Sequence, residues 1–481
     1  MKSQKKMTFL LVCAVLCSLC ITACGGEYAG MTEGKVVSGG AVSEGAVNDK
    51  VAEPDAVSGS AVGTEDWNQY IFSNDSHLYY VEWGEDAGVG IIVEYDRKAG
   101  TERKILKNDL DAILYVDNDW VYYSTCVVTE DDDRLEDEIQ TKLYRVSVEA
   151  GVLSDEKEEL LFTEEDALAS CQLCGGGRYI AYVTANDGLY KKYDLKEKRL
   201  IGSFDPKEYE YSTVFGTAGE QIVLELGDAL ACQDISGEKV VLISRDAVCY
   251  EPLIAMSDSD VFYVEGGCDS DEIWCYHLAD RSQKKLGAKR QIEEILRREG
   301  FLSETKGKKY SCYVDHLLAA GDRLYIQVDL SWEENGVTYR NKVMCSAKSG
   351  EDEKEESSGL CYEEELTTCL ANPKENQNVF EKYYYRGTSE KALFLSRGSV
   401  IAASGQQLYF CLYDPEKNKN KLTCFDLGSG KVKFLTKKDE ESIRLLAQGI
   451  LPFRNWDGPE YFRPSGLHAD MPNNDPTHTL W

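Results

Sequence analysis

The stretch that decides the fold begins Gly219-Glu-Gln-Ile-Val-Leu224 and continues through Cys232-Gln-Asp234 to Val240-Val-Leu-Ile243. Its pieces are short and carry β-branched and other apolar residues, and Gly, Asp and Ser lie between them. Runs of this kind, bounded by turn residues, are typical of antiparallel strands joined by tight turns. The stretch therefore predicts one small unit of consecutive strands.

The same order of pieces recurs along the chain. A turn followed by apolar or aromatic residues occurs seven times, with anchors at Leu78, Val121, Ile180, Ile222, Val261, Leu324 and Leu408. A second signature follows each copy and begins at Glu94, Arg145, Lys192, Cys232, Cys275, Cys345 and Cys424. Successive anchors are 43, 59, 42, 39, 63 and 84 residues apart. The shortest spacings, near ~40 residues, match the length of a four-stranded propeller blade.

Insertions account for the longer spacings. They are an acidic loop at residues 129–138, a short amphipathic helix at 290–300 and a polar stretch at 350–387. We predict an all-β fold, a β-propeller of seven blades over residues 67–440, with six and eight as the alternative counts. A β-sandwich or two smaller β-domains is the alternative architecture, but neither requires two signatures in a fixed order. Residues 441–481 are predicted to hold a closing strand or a degenerate blade at 442–453, followed by a polar tail.

The pieces Leu78-Tyr79-Tyr80 and Leu143-Tyr144-Arg145 resemble an uncharacterised propeller-like domain of Gram-positive surface proteins. They are more loosely similar to TolB-type propellers. The resemblance covers roughly residues 70–440 and implies the fold without implying an activity.

The N-terminus predicts export. Lys2, Lys5 and Lys6 precede an apolar stretch at residues 7–21, which is typical of a secretory signal. Ile21-Thr-Ala-Cys24 then resembles the lipobox of bacterial lipoproteins. The resemblance implies cleavage between Ala23 and Cys24 and acylation of the Cys24 sulfur. Residues 1–23 are thus a predicted lipoprotein signal peptide, and membrane lipid is the predicted partner of Cys24, on the outer face of the cell membrane. A plain signal peptide or a transmembrane anchor is the alternative.

Residues 24–66 are predicted to be a lipidated cysteine followed by a disordered, low-complexity stalk. From Val36 the chain repeats in fives, as VVSGG, AVSEG and AVNDK, and small residues, Ser, Gly and acids dominate. Such a composition buries too little apolar surface to offset the entropy of ordering the chain. A pentapeptide β-solenoid is the alternative.

The cysteines of the second signature are interpreted as small, half-buried strand residues. Cys232, Cys275, Cys345 and Cys424 fill one repeat position on different blades, too far apart to form disulfides with one another. Cys171-Gln-Leu-Cys174 is interpreted as a surface hairpin pair, with a redox pair or half of a zinc site as alternatives. Most thiols are therefore predicted to be free.

No catalytic residue, cofactor-binding residue or metal ligand is assigned from the sequence. The five histidines do not form an HExxH motif, and no GxSxG nucleophile motif occurs. The acidic clusters at residues 130–133 and 269–272 lack the alternating oxygen ligands and the turn glycine of a calcium loop. They are interpreted as solvated loops.

Charge excludes one class of partner. The chain carries a formal charge of −31, and loss of the three signal lysines leaves −34. Such a surface repels phosphate backbones, so nucleic-acid binding is disfavoured. The leading functional hypothesis is a non-enzymatic, membrane-anchored binding module for a protein or a glycan. A hydrolase of cell-wall or dietary glycans, with carboxylates in a central funnel, and a structural accessory subunit of an envelope complex are the alternatives.

Overall fold

The computed structural model describes most residues from 72 to 435. The longer gaps lie at residues 84–88, 130–137, 205–211, 349–358, 372–378 and 384–388, and shorter ones occur elsewhere. The described residues belong to the second of two compact units, Pro54–Trp481. The predictions for the signal peptide, Cys24, the stalk, the 130–133 cluster and residues 441–481 therefore fall outside them. No described helix is long and apolar enough to cross a membrane.

The described strands form seven sheets, and each sheet is built from strands that follow one another in the chain. Sheet 1 contains β1 (Phe72–Ser73), β2 (His77–Trp83), β3 (Val89–Asp96) and β4 (Thr101–Asn108). Sheet 2 contains β5 (Leu110–Val116), β6 (Trp120–Thr129), β7 (Glu138–Glu149), β8 (Val152–Leu153) and β9 (Glu159–Glu164). Sheet 3 contains β10 (Leu168–Cys174), β11 (Tyr179–Thr184), β12 (Tyr190–Asp194) and β13 (Arg199–Phe204). Sheet 4 contains β14 (Ser212–Ala218), β15 (Gln221–Leu226), β16 (Ala229–Asp234) and β17 (Val240–Ser244).

The remaining three sheets follow the same plan. Sheet 5 contains β18 (Ile254–Met256), β19 (Asp260–Glu265), β20 (Glu272–His277) and β21 (Gln283–Ala288). Sheet 6 contains β22 (Tyr310–Ala320), β23 (Arg323–Glu334), β24 (Val337–Lys348), β25 (Leu360–Tyr362), β26 (Val379–Tyr383) and β27 (Ser389–Phe394). Sheet 7 contains β28 (Gly398–Ser404), β29 (Gln407–Asp414), β30 (Lys419–Asp426) and β31 (Lys431–Phe434). The two described helices are α1 (Lys289–Arg298) and α2 (Glu364–Leu370).

Consecutive sheets pack face to face through shared apolar clusters. Because side chains alternate along a strand, each sheet can bury two faces. On β19, for example, Val261 and Tyr263 pack toward sheet 4, whereas Phe262 and Val264 pack toward sheet 6. Similar clusters join every consecutive pair from sheets 1 and 2 to sheets 6 and 7. Small sheets stacked in this way form a β-propeller and not the two packed sheets of a sandwich.

The first strand of each sheet lies on the inner side of this arrangement. Strand β5 contacts β10, β10 contacts β14, β18 contacts β22, and β22 contacts β28. Residues on the first strands of neighbouring sheets can therefore contribute to a common site.

The repeat signatures coincide with defined strand pairings, with one correction. In six sheets the first residue of the second signature pairs with the residue that follows the hairpin anchor, as Cys275 does with Phe262. In sheet 6 the equivalent pair is Tyr325 and Ser346, so the assignment of Cys345 to this position was wrong by one residue. Cys345 consequently faces sheet 5, whereas Cys275 faces the sheet that follows its own.

One insertion has the structure predicted for it, and another is more structured than the sequence indicated. Helix α1 lies where the amphipathic pattern predicted it, and Ile292, Ile295 and Leu296 pack into the cluster between sheets 5 and 6. The stretch at 350–387 is not uniformly polar, because it contains β25, α2 and β26. Leu366 and Leu370 of α2 pack into the cluster between sheets 6 and 7, which covers that side of the sheet.

Candidate functional site

A polar cluster on sheet 6 is the strongest candidate for a functional site. Strands β22, β23 and β24 have 11, 12 and 12 residues and form a long antiparallel hairpin pair. At its far end β27 pairs in parallel with β24, from Val337 opposite Lys391 to Arg340 opposite Phe394. The elongated sheet carries polar side chains on the face directed toward sheet 7.

Asp315 is the centre of the cluster. The pairing of β22 with β23 shifts register between Val314 and His316, and a bulge of this kind redirects the side chain of the extra residue. The carboxylate Oδ2 of Asp315 accepts hydrogen bonds from Lys342 Nζ at 2.9 Å and from Gln327 Nε2 at 2.5 Å. It also lies 3.2 Å from His316 Nδ1. Three side chains therefore hold one carboxylate in place.

The same groups join sheet 6 to sheet 7. Lys342 Nζ donates to Ser399 Oγ at 2.8 Å, and Ser399 is the second residue of β28. Gln327 Oε1 accepts from the main-chain N–H of Val400 at 2.8 Å, and Gln327 is fully buried. A buried, hydrogen-bonded network of this kind fixes the geometry of its members. The cluster is therefore preorganised by contacts with two sheets.

A second carboxylate, Asp329, lies beside the first and is less well satisfied. Asp329 is two residues beyond Gln327 on β23, so both side chains lie on one face, and it pairs with Lys342 across the strands. Its Oδ1 atom is buried and has no hydrogen-bond partner among the described residues. Most buried polar atoms are paired, so this oxygen is an acceptor available to a ligand.

The pKa values of the two carboxyl groups are shifted in opposite directions. Burial would raise the pKa of Asp315, but the hydrogen bond with His316 and the charge of Lys342 lower this pKa far below its usual range. Burial raises the pKa of Asp329 and the charge of Asp315 adds to the rise, whereas the charges of Lys342 and Arg340 and a hydrogen bond with Tyr313 oppose it. Neighbouring acids with separated pKa values are characteristic of functional sites.

The cluster is reached from the surface through Tyr313. This residue pairs with Asp329 across β22 and β23, and 38% of its surface is exposed. The next pair outward, Ser311 and Ser331, is joined by a hydroxyl contact of 3.0 Å and is exposed. The face thus presents two hydroxyl groups, an aromatic ring and a buried acceptor in order of increasing depth.

The structure separates the cysteines of the CxxC motif. Cys171 packs between sheets 2 and 3, whereas Cys174 packs between sheets 3 and 4. They lie on opposite faces of β10 and both are buried, so the interpretation as a surface pair was wrong. Eleven cysteines among the described residues are free. The four cysteines assigned to the repeat position, including Cys345, are fully buried and not half-buried.

Asp315, Asp329 and Lys342 were not predicted as site residues, although the two aspartates carry a sequence signal. They interrupt apolar strands, as in Val314-Asp-His-Leu and Val328-Asp-Leu, where alternation would place a core residue. Charged residues are rarely buried unless they are paired. No role was predicted for His316, which lies in the cluster. The predicted lipidation and cleavage residues, Cys24 and Ala23, fall outside the described part of the chain.

The fold of this chain is similar to that of proteins of known structure. No protein-family model matches the chain, and no curated protein matches its sequence. The chain is similar to the β-propeller domain of the Trilobed protease from Pyrococcus furiosus, at 8% identity and a TM-score of 0.35, covering 77% of this chain and 97% of that one. It is similar to the acylaminoacyl peptidase of Pyrococcus horikoshii at 10% identity and 0.35, covering 82% and 55%, and therefore spans little more than half of that peptidase. TolB from Acinetobacter baumannii matches at 12% identity and 0.25, covering 74% and 67%. The structural neighbours thus include β-propeller proteins, TolB among them.

Proposed function

We propose that this chain is a lipid-anchored, extracytoplasmic binding protein whose seven-bladed propeller recognises a glycan at the polar cluster of sheet 6. The buried Oδ1 atom of Asp329 carries the proposal, because no described residue forms a well-aligned hydrogen bond to it and it lies beside the exposed Tyr313, whose hydroxyl group a ligand can replace. An unsatisfied buried acceptor costs about 1–3 kcal/mol, and a ligand hydroxyl that donates to it recovers this free energy. The L-Y-Y pieces support a place among the Gram-positive surface propellers.

The composition of the cluster favours a neutral, hydroxyl-rich ligand. Asp315 is paired with Lys342, and Asp329 lies near the charges of Lys342 and Arg340, so the cluster presents no unbalanced charge to a ligand. A tyrosine ring offers an apolar surface with a hydroxyl group at its edge, which suits the face of a sugar ring. A polyanion would be repelled by a chain of net charge −31. A glycan is therefore favoured over an acidic protein as the ligand.

The binding site is tested with an array of peptidoglycan fragments and plant oligosaccharides. The wild-type protein is expected to bind at least one probe, and Asp329→Asn and Tyr313→Ala are expected to weaken that binding at least about tenfold, or about 1.4 kcal/mol. Glu265→Gln is the matched control, because burial also raises the pKa of Glu265, but this residue lies on sheet 5 and bonds to Ser244. Binding that neither Asp329→Asn nor Tyr313→Ala weakens would refute the site.

The anchor is tested separately. The basic start, the apolar segment and Ile21-Thr-Ala-Cys24 support acylation of Cys24. Cys24→Ala is expected to abolish incorporation of labelled fatty acid and to leave an unprocessed precursor. Labelling that persists in this variant would contradict a lipid anchor at Cys24. Membrane retention of the mature protein is the second readout, since several acyl chains bind far more tightly than one.

A glycan hydrolase is the second candidate, favoured by the opposite pKa shifts of Asp315 and Asp329. Glycoside hydrolysis uses one carboxylic acid and one carboxylate. If the protein is a hydrolase, the wild type should release reducing ends, and Asp329→Asn should bind the probe without releasing them. If it is a binding protein, neither the wild type nor any variant should release reducing ends. Incubation of the wild-type protein with each bound probe decides between the two.

A further inference from the structure

Three potential metal ligands meet at one end of the two central strands of sheet 5, outside the polar cluster of sheet 6. Asp260 is the first residue of β19, and it pairs directly with His277 at the end of β20. Cys275 lies two residues before His277 and therefore on the same face of β20. One ligand atom from each residue lies within 4.8 Å of the other two. Asp260 and Cys275 are buried, whereas 31% of the His277 side chain is exposed.

The other sheets use this cross-strand position differently. In four of them the third strand has a carboxylate at this position, at Asp96, Asp194, Asp234 and Asp426, whereas sheets 2 and 6 have Ser147 and Lys348. In sheets 3 and 7 that carboxylate caps the following turn: Asp194 Oδ1 accepts from the main-chain N–H groups of Lys196 and Glu197, and Asp426 Oδ1 accepts from that of Ser429. In sheet 4 Asp234 Oδ1 instead accepts from Gln221 Nε2 on the second strand. The carboxylate thus serves the repeat, most often by capping the turn.

In sheet 5 the carboxylate at this cross-strand position lies on the second strand and not on the third. The carboxylate, Asp260, is on the second strand, and the end of the third strand is His277. The following turn is capped by a different residue, Asp280, which accepts from Ser282 at 2.9 Å. Asp260 Oδ2 accepts from Ser259 Oγ at 2.8 Å, and Oδ1 contacts the Nδ1 atom of His277. The exchange therefore frees Asp260 Oδ1 from the turn and places it beside an imidazole and a thiol.

We propose that Asp260, Cys275 and His277 form a Zn²⁺ site with three protein ligands and one open position. Sulfur, nitrogen and oxygen donors together suit zinc, and catalytic zinc sites characteristically have three protein ligands. Bonds of about 2.0–2.3 Å place tetrahedral ligands about 3.5 Å apart. The three ligand atoms lie within 4.8 Å of one another, and the direct contact between Asp260 Oδ1 and His277 Nδ1 opens to the tetrahedral spacing when the ion binds. The exposed edge of His277 gives the ion a route from solvent. Sheet 4 offers a matched comparison, since Cys232 occupies the same repeat position without a histidine two residues later.

Binding would change the state of the thiol. Cys275 is buried and lies beside Asp260. A metal ion binds the thiolate, and the proton leaves to solvent as the metal–sulfur bond forms. The site therefore has a spectroscopic signature, because a thiolate-to-cobalt charge-transfer band can arise only if Cys275 is deprotonated.

The experiment titrates the full chain, stripped with a chelator, first with Co²⁺ and then with Zn²⁺. Wild type and Cys232→Ser are expected to bind one equivalent of Co²⁺ with a thiolate charge-transfer band, which Zn²⁺ displaces. Cys275→Ser is expected to lose the band, and His277→Gln is expected to weaken Zn²⁺ binding by at least about 10–100-fold. Zn²⁺ should raise the melting temperature of wild type and Cys232→Ser but not that of Cys275→Ser.

Two results would overturn the site. One is the absence of a cobalt–thiolate band in the wild-type protein. The other is a band that persists in Cys275→Ser, which would place metal binding on another of the chain's 17 cysteines. His277→Gln keeps the result interpretable if Cys275→Ser is poorly folded, since His277 is partly exposed and its replacement leaves the buried core intact.

Discussion

Replacement of Lys342 by methionine is expected to reveal how strongly the polar cluster joins sheets 6 and 7. Lys342 donates to Asp315 and Ser399, and the side chains of Lys342 and Asp315 are only 10% and 19% exposed. Lys342→Met leaves the carboxylate buried without its cation. Breaking a buried ion pair on one side costs about 3–5 kcal/mol, and residual solvent contact places this pair near the lower value, about 3 kcal/mol.

The pH dependence of this effect has a definite sign. The folded-state pKa of Asp315 is lowered, so the ionised group stabilises the fold above the unfolded value near 3.8, and this contribution is lost as the pH falls through the lower folded value. Lys342→Met removes one cause of the lowering. The difference in unfolding free energy between wild type and variant should therefore be largest near neutral pH and should shrink below about pH 4.

A double-mutant cycle is the assay. Unfolding by guanidinium chloride is measured for wild type, Lys342→Met, Asp315→Asn and the double variant. Removing both charges should restore part of the loss, with a coupling free energy of about 2–3 kcal/mol. Lys285→Met is the control, because Lys285 and Glu272 form an exposed pair whose loss costs at most about 1 kcal/mol. A double variant as unstable as the sum of the two single variants would refute the coupling.

Three further predictions concern the thiols and the chain ends. Cys232→Val and Cys424→Val should each cost at most about 1–2 kcal/mol, and intact-mass analysis should find most thiols free; six native disulfides would contradict this. Burial raises the pKa of Cys345 to about 12, so its contribution to stability is present below the unfolded value near 9 and is lost as the pH rises from about 9 to 12. Between pH 8 and 10 the unfolding free energy of Cys345→Val should therefore fall by about 1.4 kcal/mol less than that of the wild type. Chemical unfolding at the two pH values measures this difference. Deletion of all residues after Lys437 should lower the melting temperature of the whole domain, whereas removal of residues 25–65 should leave it nearly unchanged. A C-terminal truncation that melts like wild type would exclude closure through residues 442–453.

The fold was largely predictable because each sheet repeats the same local sequence pattern of apolar strand residues and turn residues. Apolar residues that alternate between two buried faces, as Val261 to Val264 do, require a neighbouring sheet on each side. The turn residues between them set where each strand ends. A period near ~40 residues then leaves few architectures other than radial blades. None of these steps needs contacts that are distant in the chain.

The register of one sheet was not predictable from the same pattern. In Leu324-Tyr-Ile326 every position is apolar or aromatic, so the sequence does not show which residue faces which neighbour. A shift by one residue moves every side chain to the opposite face. The structure pairs Tyr325 with Ser346, and Cys345 therefore belongs to the other face. The hydrogen bond from Ser346 to Glu363 of the insertion shows why a polar residue is accommodated there.

The polar cluster depends on contacts that the repeat does not encode. Gln327 and Ser399 are 72 residues apart in the chain, and they meet only because sheets 6 and 7 are neighbours. The bulge that turns Asp315 toward Lys342 adds a residue to β22 without an evident sequence marker. Sequence alternation alone would place neighbouring Asp315 and His316 on opposite faces. The sequence therefore predicted the sheets that meet at the cluster but not the groups that they bring together.

The shared repeat position shows how one scaffold can carry different chemistry in different sheets. In sheet 3 the position holds Lys192, whose Nζ donates to the main-chain oxygen of Asp234 in sheet 4 at 2.8 Å. Burial lowers the pKa of this lysine to about 8, so its charge is retained at a cost that its carbonyl acceptors offset. In sheet 4 the same position holds Cys232, which packs in the apolar cluster shared with the next sheet and lies beside the Tyr276 hydroxyl of that sheet. Because the backbone pairing is the same in both, a substitution here alters the contact between two sheets and not the fold of either. In sheet 5 this freedom allows Cys275 to stand beside Asp260 and His277 while the strand pairing of the repeat is preserved.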